Sequence, residues 1–142
     1  VMHIKKCLML MTSAIAFSLV GCGDDSGSNA PLGTRTCTVR TEGSKIYVHQ
    51  ELSGYASYDA VGVYSQKNYT YDTYQVINYS YTEKYANSAN YAEQCADLQE
   101  DSWYENVKCN DASRVITYTD YSEESIESAV ADWQRMCAEF LE

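Results

Sequence analysis

The sequence predicts an α+β fold: an antiparallel sheet of about four to six strands, two helices packed on one of its faces, and two disulfides. Three observations carry this reading. Short segments alternate apolar and polar side chains between turn residues, as half-buried strands do. Near the C-terminus, apolar residues step by 4, 3, 4 and 3, which paints one face of a helix. Four cysteines remain beyond the N-terminal region, the even number a disulfide framework needs. A length of 142 residues suits one domain. Hydrophobic content of 45% argues against wholesale disorder, and a net charge of −10 argues against a nucleic-acid ligand, whose phosphates call for basic patches.

The N-terminus reads as an address. Lys5 and Lys6 precede a thirteen-residue run from Leu8 to Val20 whose only hydroxyl breaks are Thr12, Ser13 and Ser18. That suits the apolar core of a secretory signal and falls short of the roughly 20 apolar residues of a membrane span. The run closes on Leu19-Val20-Gly21-Cys22, which resembles the lipobox of bacterial lipoproteins. The resemblance implies a diacylglyceryl group on the Cys22 sulfur, cleavage before Cys22, and a membrane held through the lipid. Gly23, where some members carry Asp, resembles lipoproteins sent on to the outer membrane. The junction Gly21-Cys22-Gly23-Asp24-Asp25-Ser26-Gly27-Ser28 is similar to small lipoproteins of Fibrobacter-type bacteria, a likeness that supports the address and adds no activity. Expected boundaries are a signal peptide over 1–21, a lipidated polar tether over 22–34, and a single α+β domain over 35–142. Without the signal, eight basic residues face 20 acidic ones, a net charge of −12.

Within the domain, Thr36 to Thr41 alternates with Cys37 and Val39 on one face, and Glu42-Gly43-Ser44 supplies a turn. Lys45 to Leu52 continues as a strand, Ile46 and Val48 inward, Tyr47 and His49 outward. Tyr55–Tyr64 and Tyr69–Tyr81 read as two more strands joined through Gln66-Lys67-Asn68. A helix is expected from Glu83 to about Asp101, with Tyr91, Cys95 and Leu98 at helical spacing. A hairpin follows, Asn106–Asn110 and Arg114–Thr119, turning at Asp111-Ala112-Ser113. The final helix carries Ile126, Val130, Trp133, Cys137 and Phe140 on its apolar face, with Asp120 and Glu123 spaced as a capping box.

The four cysteines, separated by 57, 13 and 27 residues, contain no CxxC pair, which weighs against zinc; two disulfides have three connectivities. The layout favours Cys95–Cys109, flanking one helix-to-strand connection, and leaves Cys37–Cys137 to join the first strand to the last helix. No cofactor or metal motif stands out: a Gly-rich phosphate loop and an EF-hand spacing are both missing.

Ten of the fourteen tyrosines lie between Tyr55 and Tyr91. Tyr69, Tyr71, Ile77, Tyr79 and Tyr81 would share a strand face, either a stacking platform or, the favoured reading, core, with Tyr79 and Tyr81 largely buried. Tyr47, Tyr64 and Tyr74 are the expected exposed rings and the candidate binding residues, since flat phenols with polar tips suit sugar rings or protein partners. No catalytic residues are predicted: His49, the one histidine beyond the signal, sits on an outward face, and no GxSxG elbow presents a nucleophile. The function expected is therefore a lipid-anchored cell-envelope protein with a non-catalytic binding or interaction domain for a glycan or envelope protein. Two alternatives stay open, an acidic inhibitor of a basic partner and a small carboxylate-dependent hydrolase.

Overall fold

The computed structural model describes residues 33–142. The expected signal peptide, the expected lipidation site Cys22 and most of the expected tether therefore lie outside the described residues. Six strands form one antiparallel sheet: β1 (Arg35–Glu42), β2 (Lys45–Leu52), β3 (Ala56–Asn68), β4 (Thr73–Tyr85), β5 (Glu105–Asn110) and β6 (Val115–Ser122). The order across the sheet is β1-β2-β3-β4-β6-β5. Two helices complete the described residues, α1 (Ser88–Glu100) between β4 and β5, and α2 (Ile126–Leu141) at the C-terminus. This is the predicted α+β layer, with both predicted disulfides, Cys37–Cys137 and Cys95–Cys109.

Turn chemistry sets the hairpins. Gly43, at φ +60°, fills the two-residue loop between Glu42 and its partner Lys45, a conformation that costs other residues far more. Asn110 heads the β5–β6 turn, its side chain accepting from the Ser113 N–H at 3.1 Å. β5 carries a bulge between Glu105 and Lys108, a device that blunts an edge strand against pairing with other chains.

One row of the register crosses the whole sheet on its buried side: Cys37, Gln50, Tyr58, Glu83, Ile116 and Cys109 are successive neighbours. A disulfide stands at each end of this row. Cys37 clamps α2 over β1, and Cys109 clamps α1 over β5. Between them Trp133 of α2 lies 5.8 Å from the Tyr79 ring and 6.3 Å from the Tyr58 ring. Its indole N–H donates to the Tyr79 hydroxyl at 3.0 Å, so its burial leaves no donor stranded. Tyr79 and Tyr81 are buried as expected, and Gly62, opposite Tyr79, leaves space for that ring.

α1 contains no β-branched residue, so little side-chain freedom is lost on forming it; the Asn87 side chain caps it by accepting from Asn90 N–H at 2.9 Å. α2 buries Ala129, Trp133, Met136, Cys137 and Phe140, while Ile126 and Val130 are half-buried.

Several elements depart from expectation. The helix expected from Glu83 begins at Ser88, because β4 runs through to Tyr85 and keeps Glu83 and Tyr85 on its inward face. The hairpin expected at Gln66-Lys67-Asn68 turns instead through Tyr69–Asp72, with Asn68 paired to Thr73. Tyr69 and Tyr71 thus leave the stripe they were expected to share with Tyr79 and Tyr81. The cap of α2 is Ser125, whose hydroxyl accepts from Ser128 N–H at 3.1 Å. Asp120, expected there, is buried in β6 and accepts the Tyr81 hydroxyl at 2.7 Å.

The register also orients the molecule. Arg35, the first residue of β1, pairs with the end of β2, which pairs with the start of β3 and so with the end of β4. Gly33 and Thr34 lie at this pole, where Thr34 accepts from Ser53 N–H at 3.0 Å. The β3–β4 turn lies at the other pole. β3 has 13 residues, and a strand of that length spans roughly 40 Å.

Candidate functional site

β4 reaches past its neighbour. Its pairing with β6 begins only at Ile77 and Ser122, so Thr73–Val76 and the β3–β4 turn overhang the end of β6. Beneath this overhang is a groove of about 900 Å³ walled by Tyr69, Tyr71, Tyr74 and Tyr121. The residues that miscast the turn therefore form the site: once Tyr69 and Tyr71 sit in the loop, no sheet neighbour covers them. Tyr71 is 97% exposed, and Tyr69, Tyr74 and Tyr121 are all exposed large aromatics. The Tyr69 and Tyr74 rings meet edge to face at 5.3 Å, an arrangement favoured by the ring quadrupoles. Charge in the wall comes from Lys67, Asp72 and Glu123.

A second groove, of about 480 Å³, lies beside the first, with Trp103, Glu105 and the carboxyl-bearing Asp120 in its lining. Tyr121 and Glu123 line both. Trp103 follows α1 in a turn closed by its own N–H donating to Asp101 at 2.9 Å, and its indole is exposed. The volumes fall in the roughly 300–1,000 Å³ range of ligand clefts.

The three expected binding tyrosines do not share a surface. Tyr74 is exposed and lies in the first groove. Tyr64 sits on the helix-covered face opposite Ile77, half-buried against the core, its hydroxyl donating to Gln66 at 3.4 Å. Tyr47 is half-buried on the open face near the β1 edge, beneath the Arg40 guanidinium at 3.9 Å from the ring centroid, a cation–π contact. Tyr121 was missed. Its signal was present, because Ile116, Tyr118 and Asp120 point inward and Tyr121 falls on the opposite parity. Trp103, in a loop, carried no periodic signal.

His49 is on the open face as expected. Its Nδ1 lies 2.6 Å from Asp59 and its Nε2 3.3 Å from Glu51. The Asp59 hydrogen bond raises its pKa above 6.5, with Asp59 and Glu51 charges adding to this and partial burial opposing it. Both ring nitrogens face carboxylates, so the pair of bonds is complete when the imidazole is protonated. Glu83 is the opposite case, fully buried and lining neither groove. Burial pushes its carboxyl up to about 7, against the pull of two phenol donors, Tyr118 and Tyr85. A raised carboxyl could serve as a general acid, but this one contacts core rings rather than a cleft. Among the described residues no cluster of three or more His, Cys, Asp or Glu is arranged to hold a metal ion.

Compared with known proteins, the chain matches no family model, no curated protein and no solved structure.

Proposed function

We propose that this chain is a lipid-anchored cell-envelope protein, held in the outer membrane through Cys22, whose folded domain is a non-catalytic module that binds a glycan in the tyrosine groove. The observation that carries the reading is the placement of that groove. Four exposed phenols gather at the pole opposite Gly33, and Cys22 precedes Gly33 by only eleven positions. An anchor at one pole would leave the aromatic pole facing away from the membrane. Phenol faces supply stacking area at small conformational cost, and their hydroxyls supply orientation.

Two measurements test it. Cys22→Ser should release the protein from membranes, because several acyl chains hold firmly where one holds marginally; wild-type protein with an unmodified Cys22 would refute the anchor. Binding of the full chain to insoluble polysaccharides should fall on Tyr74→Ala and Tyr121→Ala together and stay unchanged on Tyr64→Ala. An inhibitor of a basic partner is the second reading, favoured by Asp72, Glu105, Asp120 and Glu123 around the grooves. A proteinaceous partner captured at low salt and lost at high salt, with no polysaccharide retained, would replace the glycan reading with that one.

A further inference from the structure

We infer that the two grooves act as one cleft, and that their ligand is a linear, uncharged polysaccharide chain which passes across Tyr121. This rests on the glycan reading above and specifies the ligand. Tyr121 and Glu123 belong to both grooves, so a chain lying in one is led into the other. Trp103 lines the second groove and Tyr69, Tyr71 and Tyr74 the first, with Tyr121 common to both, and all five rings are exposed. The aromatic surface is therefore extended rather than gathered into a cage around one group. A single sugar ring would leave most of either groove wet, whereas a chain would displace water from both.

Charge selects within this class. Among the described residues, Lys67 is the only basic side chain in either lining, against Asp72, Glu105, Asp120 and Glu123. A uronic-acid polymer would bring carboxylates against this acidic wall with one cation to meet them. A neutral chain offers hydroxyls, which donate to carboxylates and accept from phenols without burying a charge. Stacking carries the contact, and hydrogen bonds set the direction of the chain.

The test is calorimetric titration of the full chain, kept in detergent, with β-1,4-linked xylo-oligosaccharides and gluco-oligosaccharides of increasing length, polygalacturonate and chitosan oligomers. Affinity for one neutral series should rise with length until both grooves are spanned, and change little with salt. Trp103→Ala should remove the gain of the longer oligomers, about 3- to 10-fold, and leave the shorter ones unchanged; Tyr121→Ala should weaken all lengths. Far-ultraviolet circular dichroism and urea midpoints of both variants should match wild type, since both rings are exposed. Length-independent affinity, or no effect of Trp103→Ala, would overturn the single cleft while leaving the glycan reading intact. Equal or tighter binding of polygalacturonate, or salt-sensitive preference for chitosan oligomers, would overturn the uncharged ligand. Failure of every saccharide to bind would remove the glycan reading itself, and this inference with it.

Discussion

Glu83 accepts the Tyr118 hydroxyl across the β4–β6 pair, on the sheet face that the helices seal from water. Tyr85 donates to its other oxygen at 2.9 Å. A carboxyl on this site is served by two donors and still costs energy to ionise, because hydrogen bonds replace only part of a charge's hydration.

Its pKa, raised by burial to about 7 from 4.5, makes stability fall with rising pH. The folded state binds the proton more tightly than the unfolded state. The contribution is therefore complete below about pH 4.5 and lost as pH rises through about 7, on the order of 3 kcal/mol. Glu83→Gln keeps an acceptor for a phenol and should flatten this slope. Urea midpoints measured across that window check it; wild-type stability that rises with pH would contradict it.

His49 titrates in the same sense. Its raised pKa gives a contribution present below 6.5 and lost as pH rises through the folded value. With the side chain 40% exposed, solvent screens most of that energy, so the clean readout is the titration itself. The imidazole midpoint by nuclear magnetic resonance should lie above 6.5, and Asp59→Asn should bring it down.

The disulfides differ in the length of chain they close. Cys37–Cys137 spans a separation of 100 residues and Cys95–Cys109 one of 14. Chain entropy assigns them about 4.7 and about 3 kcal/mol. The Cys37→Ala, Cys137→Ala variant should be the less stable in denaturant, and equal losses would show that native contacts outweigh loop closure.

Gly62→Ala should destabilise the core. A Cβ there would stand 2.6 Å from Tyr79 Cε1 and 2.7 Å from Ile77 Cγ2. Tyr79 is held by Trp133 and cannot swing aside without losing that hydrogen bond. A loss of about 1–3 kcal/mol is expected, with a shift in Trp133 fluorescence. Wild-type stability would mean that β3 bends away at Gly62.

Local pattern made much of the fold legible. β1, β2 and α2 alternate or repeat without interruption, and Gly43-Ser44 and Asp111-Ala112-Ser113 mark two of the hairpins, so neighbours along the chain suffice to place them; the β3–β4 turn at Tyr69–Asp72 carries no glycine or proline to mark it. The element order favoured the observed disulfide pairing, because Cys95 and Cys109 flank one helix-to-strand connection and leave Cys37 to Cys137. Glu83 was different: a polar residue at an inward position breaks the alternation and reads as a strand end. Its burial depends on Tyr118, 35 residues away, and no window around Glu83 contains that donor. Asp120 misled for the same reason, its carboxyl being engaged by Tyr81 instead of a helix N-terminus.

The sequence by itself determined the class of fold, a preference among the cysteine pairings and the inward position of Tyr79 and Tyr81, all consequences of periodicity and turn chemistry among adjacent residues. Only the tertiary structure decided which tyrosines meet. Tyr74 and Tyr121 are 47 positions apart in the chain and line one groove because β4 pairs with β6 and overruns its end. Tyr64 and Tyr74 are only ten apart yet point to different faces, because the β3–β4 turn fell at Tyr69–Asp72 rather than before it. Strand pairing is a long-range choice made by the whole core, and a surface site assembled across strands inherits that choice.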